Sequence, residues 1–384
     1  METTSQPAKP LRFIITGGGT GGHVFPAIAI GLALRKRVPG CDILFVGAKG
    51  RMEMEKVPGA GFHIIGLDIA GLSRRFTWKN LLLPWKIVKS MAGAKKIIKR
   101  FRPDVVIGVG GYASAPVVWA AAGQKIPVLI QEQNSFPGIT NRYLGKKASK
   151  ICVSYDGMEK YFNKEKLCVA GNPVREDITK TENKRPAALA HFGLDDNKPV
   201  LLITGGSLGA RSINEAVSKH LAMFLKNNIQ LIWQTGRGFY QQAAKQTAQI
   251  EKDKLYINAF IDRMDYAFAA ADLVVSRAGA IAVSEITAVQ KPAILIPSPN
   301  VAEDHQTKNA MALVNNHAAI LIKDQEAESQ LGKTVTDLIF DEDSKHRLRE
   351  RLAGLTFHDP AGAIAGEVLS LTDSPGTKTN QAIN

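Results

Sequence analysis

The chain has 384 residues, of which 45% are hydrophobic and 22% charged, a balance that excludes disordered and fibrous classes and makes two globular domains the expectation. The net charge of +14 is unevenly placed: residues 1–170 carry 26 Lys/Arg against 10 Asp/Glu, and the remainder 23 against 25. A basic half suits nucleic acid, an anionic membrane surface or an anionic substrate.

In chain order, residues 1–10 are polar, lack the apolar core of a secretory signal and are expected as a disordered tail. Leu11–Ile15 reads as a buried strand leading into the glycine turn Gly17-Gly18-Gly19-Thr20-Gly21-Gly22-His23, with a helix near Pro26–Arg37 and a strand at Asp42–Val46. Between Asp68 and Asp104 there is no acidic residue but ten basic ones, interleaved with Trp78, Leu81, Leu82, Trp85 and Val88 at helical spacing. That segment fits a membrane interface, and equally a core-facing stripe with a solvated basic face. The apolar stretch from Val105 to Gly123 is broken by Gly110-Gly111 and Pro116, so it reads as a strand (Val105–Val109), a turn and a buried helix rather than a membrane span. Val128–Gln131 is a further strand, and Gly171-Asn172-Pro173 marks a link between halves near Val169–Arg175.

The second half repeats the style, with strands at Val200–Ile203, Leu231–Gln234, Leu255–Asn258, Leu273–Ser276 and Ala293–Pro297 and helical patterns between most of them. A second glycine turn, Gly205-Gly206-Ser207-Leu208-Gly209, follows the first of these strands. The tail after Thr372 is polar and expected to be disordered. Such alternation predicts an α/β fold with parallel sheets covered by helices, and ligands at the carboxyl ends of strands. Three cysteines (Cys41, Cys152, Cys168) without a C-x-x-C pair support neither a disulfide framework nor a zinc site and fit a reducing, cytosolic compartment.

Both glycine turns lead into helices, so each offers close backbone approach and helix-opening N–H groups to a phosphate. The first matches G-x-G-x-x-G, but the second strand ends Val46-Gly47-Ala48 with no acid for a ribose, which disfavours a nicotinamide cofactor. No P-loop is present. His23, where the first turn meets its helix, suits a phosphate hydrogen bond or proton removal from a hydroxyl; it also reads as an ordinary half-buried helix-start histidine. Glu285 follows the Ser276-Arg277-Ala278-Gly279 turn by about one helical turn, where it can accept two ribose hydroxyls or merely complement a helix N-terminus. Arg277 faces the same way. Residues 297–309 form a dense polar run suited to sugar hydroxyls or to a capped helix start, and Asp341-Glu342-Asp343 reads as a solvated helix start rather than a metal site.

Taken together, Gly18–Pro26, Gly110-Gly111-Tyr112, Glu132-Gln133-Asn134, Thr140-Asn141, Gly171–Arg175, Gly205-Gly206-Ser207, Gly209-Ala210-Arg211, Asn214, Arg277, Gly279-Ala280, Val283-Ser284-Glu285 and His305-Gln306 resemble the MurG family. These are UDP-N-acetylglucosamine–N-acetylmuramyl-(pentapeptide) pyrophosphoryl-undecaprenol N-acetylglucosamine transferases. The resemblance implies a GT-B fold, two Rossmann-like domains with parallel sheets facing a central cleft. It places an N-terminal acceptor and membrane-docking domain at 11–170, a UDP-sugar domain at 171–357, a helix packing back on the first domain within 358–372 (Ala361–Leu371), and a tail at 373–384. The implied reaction is inverting, metal-independent transfer of N-acetylglucosamine from UDP-N-acetylglucosamine to the 4-hydroxyl of the muramyl sugar of lipid I, giving lipid II for peptidoglycan, without a cofactor.

Carried over by position, the donor is bound by Thr20, Gly21, Gly22, Asn134, Arg175, Ser207, Ile261, Ala280, Ile281, Ala282, Val283, Ser284, Glu285 and Gln306. His23 and Glu285 are the catalytic candidates. Gly19, His23, Tyr112 and Asn141 are assigned to the acceptor and its diphosphate, and Arg175 or Arg277 to the departing UDP. With a lipid-linked acceptor, Trp78, Leu81, Leu82 and Trp85 become the expected docking face on an anionic membrane, and the enzyme is expected as a peripheral protein on the cytoplasmic face of the bacterial inner membrane. Leu208 and His305 stand where some members carry glutamine. The alternatives are a UDP-N-acetylglucosamine 2-epimerase, another GT-B glycosyltransferase or a silent sugar-nucleotide sensor. No nucleic-acid module is recognisable, so nucleic acid is not an expected partner.

Overall fold

The computed structural model describes residues 9–69, 83–251 and 253–372, with only the backbone described for 83–87 and 302. The expected docking residues Trp78, Leu81 and Leu82, the side chain of Trp85, and the expected tails apart from Lys9 and Pro10 lie outside the described residues. The chain divides into two compact units, residues 1–173 with 359–384, and residues 174–358.

In the first unit the order is β1 (Arg12–Thr16), α1 (Gly21–Arg37), β2 (Asp42–Ala48), α2 (Glu53–Gly59), β3 (His63–Leu67), α3 (Leu83–Phe101), β4 (Val105–Gly108), α4 (Ser114–Gly123), β5 (Val128–Glu132), α5 (Ile139–Gly145), β6 (Lys150–Val153) and β7 (Leu167–Val169). The sheet runs β3-β2-β1-β4-β5-β6-β7, all parallel. The central strands are apolar on both faces because helices cover both: Phe13, Ile15 and Ile107 face one core, Ile14, Val106 and Ile130 the other. The last described helix, Pro360–Ser370, belongs to this unit. It buries Ile364, Ala365 and Val368 with Val24, Ala27 and Ile30 of α1, and its Glu367 pairs with Lys150 at 3.0 Å.

The second unit continues with α6 (Glu176–Thr179), α7 (Arg185–Phe192), β8 (Val200–Thr204), α8 (Arg211–Lys226), β9 (Gln230–Gln234), α9 (Arg237–Thr247), β10 (Leu255–Asn258), α10 (Met264–Ala270), β11 (Leu273–Ser276), α11 (Ala280–Ala288), β12 (Ala293–Leu295), α12 (His305–Val314), β13 (Ile320–Leu321), α13 (Ala327–Ile339) and α14 (Glu342–Ala353). Its parallel sheet runs β10-β9-β8-β11-β12-β13. Asp341 caps α14 by accepting the Ser344 N–H at 2.9 Å, the solvated helix start read from the sequence.

Strand order reverses between β1 and β4 in the first unit and between β8 and β11 in the second. A crevice opens at such switch points, beyond the carboxyl ends of the strands. The two glycine turns follow β1 and β8 and therefore sit at these positions.

Candidate functional site

In the first unit, the helix after β1 starts at Gly21, five residues before the Pro26 start that the sequence suggested. The Thr20 carbonyl accepts from the N–H groups of His23 and Val24, both at 3.1 Å. The amides that open the helix are thus those of the glycine run itself. The Thr20 hydroxyl lies 3.2 Å from His23 Nδ1. The imidazole packs against Gly110, reaches the Gly18 carbonyl, and is held down to about pKa 4 by burial, against the raising influence of Glu53. It is neutral at pH 7, with low proton affinity in the resting protein.

Beyond β5 a buried carboxylate organises the next loop. Glu132, 2% exposed, accepts from Asn134 N (2.9 Å), Asn134 Nδ2 (3.0 Å), Gly138 N (3.2 Å) and Asn141 Nδ2 (2.8 Å). Burial raises its pKa and these four N–H groups oppose the rise. The bonds fix the side chains of Asn134 and Asn141, and Asn141 Oδ1 is left buried without a partner. Gln133 donates to the Val109 carbonyl at 2.8 Å, tying this loop to the end of β4. Tyr112, after Gly110-Gly111, is 55% exposed.

In the second unit, Gly206, Ser207 and Leu208 form an exposed tip after β8. The turn lines a pocket of about 570 Å³ with Arg277, Ser298, Asn300, Gln306 and Asp324. Gln234, buried at the end of β9, braces it: Nε2 donates to Thr204 Oγ1 (3.1 Å) and the Gly206 carbonyl (3.0 Å), while Oε1 accepts the Ile261 N–H (2.9 Å). One side chain therefore fixes both the glycine turn and the expected Ile261 contact. Arg277, in contrast, is engaged within the protein. Its guanidinium bonds Asp324 (2.5 Å), Ser212 Oγ (2.8 Å) and the Ile296 carbonyl (3.0 Å). Both candidate cations are ion-paired within the protein, Arg277 with Asp324 and Arg175 with Asp177.

Helix α11 opens after Gly279 with Ala280, Ile281 and Ala282 partly accessible. Glu285 sits in its second turn, where burial lifts the carboxyl to about pKa 7 against the opposing charge of Arg175, itself 3.6 Å from Asp177. Before α12, Glu303 and Asp304 both adopt φ 52°, a left-handed conformation costly for such residues and found at functional loops. Gln306, one residue into that helix, accepts the Ser298 N–H through Oε1 at 2.8 Å.

The first unit thus holds Gly19, Thr20, Gly21, Gly22, His23, Tyr112, Asn134 and Asn141, and the second Arg175, Ser207, Ile261, Ala280 to Glu285 and Gln306. Sequence reasoning missed Glu53 and Gln234 altogether, and quoted Glu132 without a role. The described part of α3 turns Ala94 and Ile98 into the core and Lys89, Lys95, Lys96, Lys99 and Arg100 outward, while Val88, the one stripe residue whose side chain is described, is 61% exposed.

Residues 13–153 match the glycosyltransferase family 28 N-terminal domain, and residues 200–359 the glycosyltransferase family 28 C-terminal domain. The chain belongs to glycosyltransferase family 28. It is 49% identical over 365 residues to the UDP-N-acetylglucosamine–N-acetylmuramyl-(pentapeptide) pyrophosphoryl-undecaprenol N-acetylglucosamine transferase of Parabacteroides distasonis, covering 95% of this chain and 99% of that one. It is 50% identical over 368 residues to the protein of that name from Bacteroides thetaiotaomicron, with the same coverage. The crystal structure of Acinetobacter baumannii MurG superposes with a TM-score of 0.75 at 26% identity, covering 94% of this chain and all of that one. A UDP-N-acetylglucosamine 2-epimerase structure from Listeria monocytogenes has a TM-score of 0.67 at 15% identity, so it shares the fold alone. Family 28 membership confirms the expected two-domain GT-B architecture and its glycosyltransferase class.

Proposed function

We propose that this chain transfers N-acetylglucosamine from UDP-N-acetylglucosamine to the muramyl sugar of lipid I, forming lipid II for peptidoglycan synthesis. The observation that carries this reading is similarity at about half identity, end to end, to transferases named for that reaction. The epimerase alternative rests on fold alone.

The finer reading assigns the donor to the second unit. The tip of the second glycine turn and the first amides of α11 give N–H groups to the diphosphate, and Arg175 adds charge as UDP departs. Glu285 takes the ribose hydroxyls. With a carboxyl near pKa 7 it is present in both protonation states at neutral pH, able to donate as well as accept. Gln306, its oxygen already used, is oriented to donate through its amide nitrogen. The acceptor hydroxyl is given to the first unit, with Tyr112 and Asn141 around it and His23 as proton acceptor for attack with inversion. Donor and acceptor chemistry are supplied by amides, a cation and an imidazole, so we assign no metal or cofactor.

Membrane docking is part of the same proposal, since the acceptor is lipid-linked. No helix among the described residues is long and apolar enough to cross a membrane. Supporting a peripheral mode, Tyr143 (56% exposed) stacks on Trp119 at 5.2 Å, Lys147 lies over that indole at 5.1 Å, and Ile139 is 68% exposed on α5; the cytoplasmic face is taken with the transferase reading. An exposed tyrosine ring beside a lysine suits a headgroup region, as do the expected Trp78, Leu81, Leu82 and Trp85.

The test is transfer of radiolabel from UDP-N-acetylglucosamine to a lipid I analogue, followed in the organic extract with and without chelator. Label in the extract in both cases supports the proposal. Conversion of the free donor to its 2-epimer without an acceptor replaces it with the epimerase reading.

A further inference from the structure

The first glycine turn is occupied from inside the protein. Glu53, at the start of α2 and 1% exposed, accepts the Gly19 N–H through Oε2 and the Ala48 N–H through Oε1, both at 3.0 Å. It reaches this place because the facing positions lack side chains. A Cβ on Gly18 would stand 2.2 Å from Glu53 Oε1, and one on Gly47 2.6 Å from its Cγ. The carboxylate thus clamps the turn after β1 to the end of β2, and one helix turn further on His23 and Thr20 hold each other.

This arrangement is the reverse of a phosphate cradle. In such a cradle the turn's amides point at the ligand and the surroundings carry positive charge. Here the Gly19 amide is already spent on a carboxylate, and a buried carboxylate lies directly behind the turn. Diphosphate placed on this turn would lose that amide and meet like charge. An uncharged hydroxyl presented to Thr20 and His23 meets neither obstacle.

We infer that Glu53 is the positioning residue of the first glycine turn, bracing it so that Thr20 and His23 meet an uncharged sugar hydroxyl, and that the lipid diphosphate is not held on this turn. The inference rests on the transferase reading for the identity of that hydroxyl, and it revises the assignment of Gly19 to the acceptor diphosphate. Glu53 touches no substrate in this scheme. It acts through the turn.

The experiment uses the full chain and two variants. Glu53→Gln keeps the shape but offers an NH2 group to one of two backbone donors; Glu53→Asp keeps the charge but is too short to reach both. The expected result is a fall in kcat of at least tenfold for each variant, with the Kd for UDP within twofold of the parent in protein that remains folded at the assay temperature. A kcat within twofold of the parent in both variants overturns the positioning role, and so does an equal loss of affinity for UDP itself. A second measurement needs no activity. With UDP saturating the second turn, inorganic pyrophosphate is added and amide hydrogen exchange is followed by mass spectrometry. No added protection over residues 17–22 of the parent chain is expected, and protection there overturns the inference. Failure of the parent chain to label a lipid I analogue would strike the transferase reading instead, leaving the exchange result to decide the turn.

Discussion

Removing the Gln234 side chain should separate donor binding from the rest of the fold. Gln234→Leu deletes three hydrogen bonds, to Thr204 Oγ1, the Gly206 carbonyl and the Ile261 N–H. At roughly 1 kcal/mol net for each bond, with about 1–3 kcal/mol more for the buried Ile261 amide left without an acceptor, the second unit loses about 4–6 kcal/mol if nothing relaxes. The turn tip at Gly206 to Leu208 is exposed, so part of the loss is recovered by water. Even if only about 1.4–2.8 kcal/mol reaches the donor complex, the Kd for UDP-N-acetylglucosamine rises about 10- to 100-fold. Gln234→Glu is the sharper variant. One carboxylate oxygen still accepts from Ile261, but the other faces the Gly206 carbonyl and puts negative charge beneath the turn assigned to the diphosphate. Its donor affinity should fall at least as far as that of the leucine variant, and the buried charge facing a carbonyl also costs stability. Calorimetric titration with UDP-N-acetylglucosamine and denaturant melts measure the two quantities separately. A folded Gln234→Leu protein with a donor Kd within twofold of the parent would refute the bracing argument.

Two further predictions concern titrating groups. The Glu285 pKa is raised in the folded protein to about 7, so its burial contributes stability that is complete below about pH 4.5 and is lost as the pH rises through 7. Glu285→Gln should therefore lose less thermal stability than the parent between pH 5 and pH 8 while binding UDP at least tenfold more weakly; parallel melting curves for the two proteins would contradict it. The His23 pKa is lowered to about 4, so the unfolded chain binds the proton first and stability falls as the pH drops from 6.5 towards 4. His23→Ala should flatten that part of the stability profile and lower turnover far more than donor affinity, and unchanged turnover would remove His23 from the mechanism.

What the sequence disclosed follows the physics of burial. Strands covered on both faces, such as Phe13 to Ile15 or Val200 to Ile203, are continuous apolar runs and stand out. The strand His63–Leu67 lies at the sheet edge with alternating exposure, and Lys150–Val153, Leu167–Val169 and Ile320–Leu321 are too short to show a period. The start of α1 was misplaced because Pro26 resembles a helix opening, whereas the glycine run itself takes helical conformation. The glycine turns after β1 and β8 were legible through turn chemistry. The buried polar residues behind them were not. Glu53 meets Gly19 across 34 positions of sequence and Gln234 meets Thr204 across 30, and no local pattern marks a carboxylate or an amide for such a partner.

The return of the last helix to the first unit has a consequence for biosynthesis. Residues 360–370 complete the core beside α1, yet they are encoded after every element of the second unit. A nascent chain on the ribosome can finish the donor-side unit while Val24, Ala27 and Ile30 still lack their covering helix. The half assigned to the lipid acceptor therefore completes its core only after residues 360–370 have been made and released to fold, later than every element of the second unit.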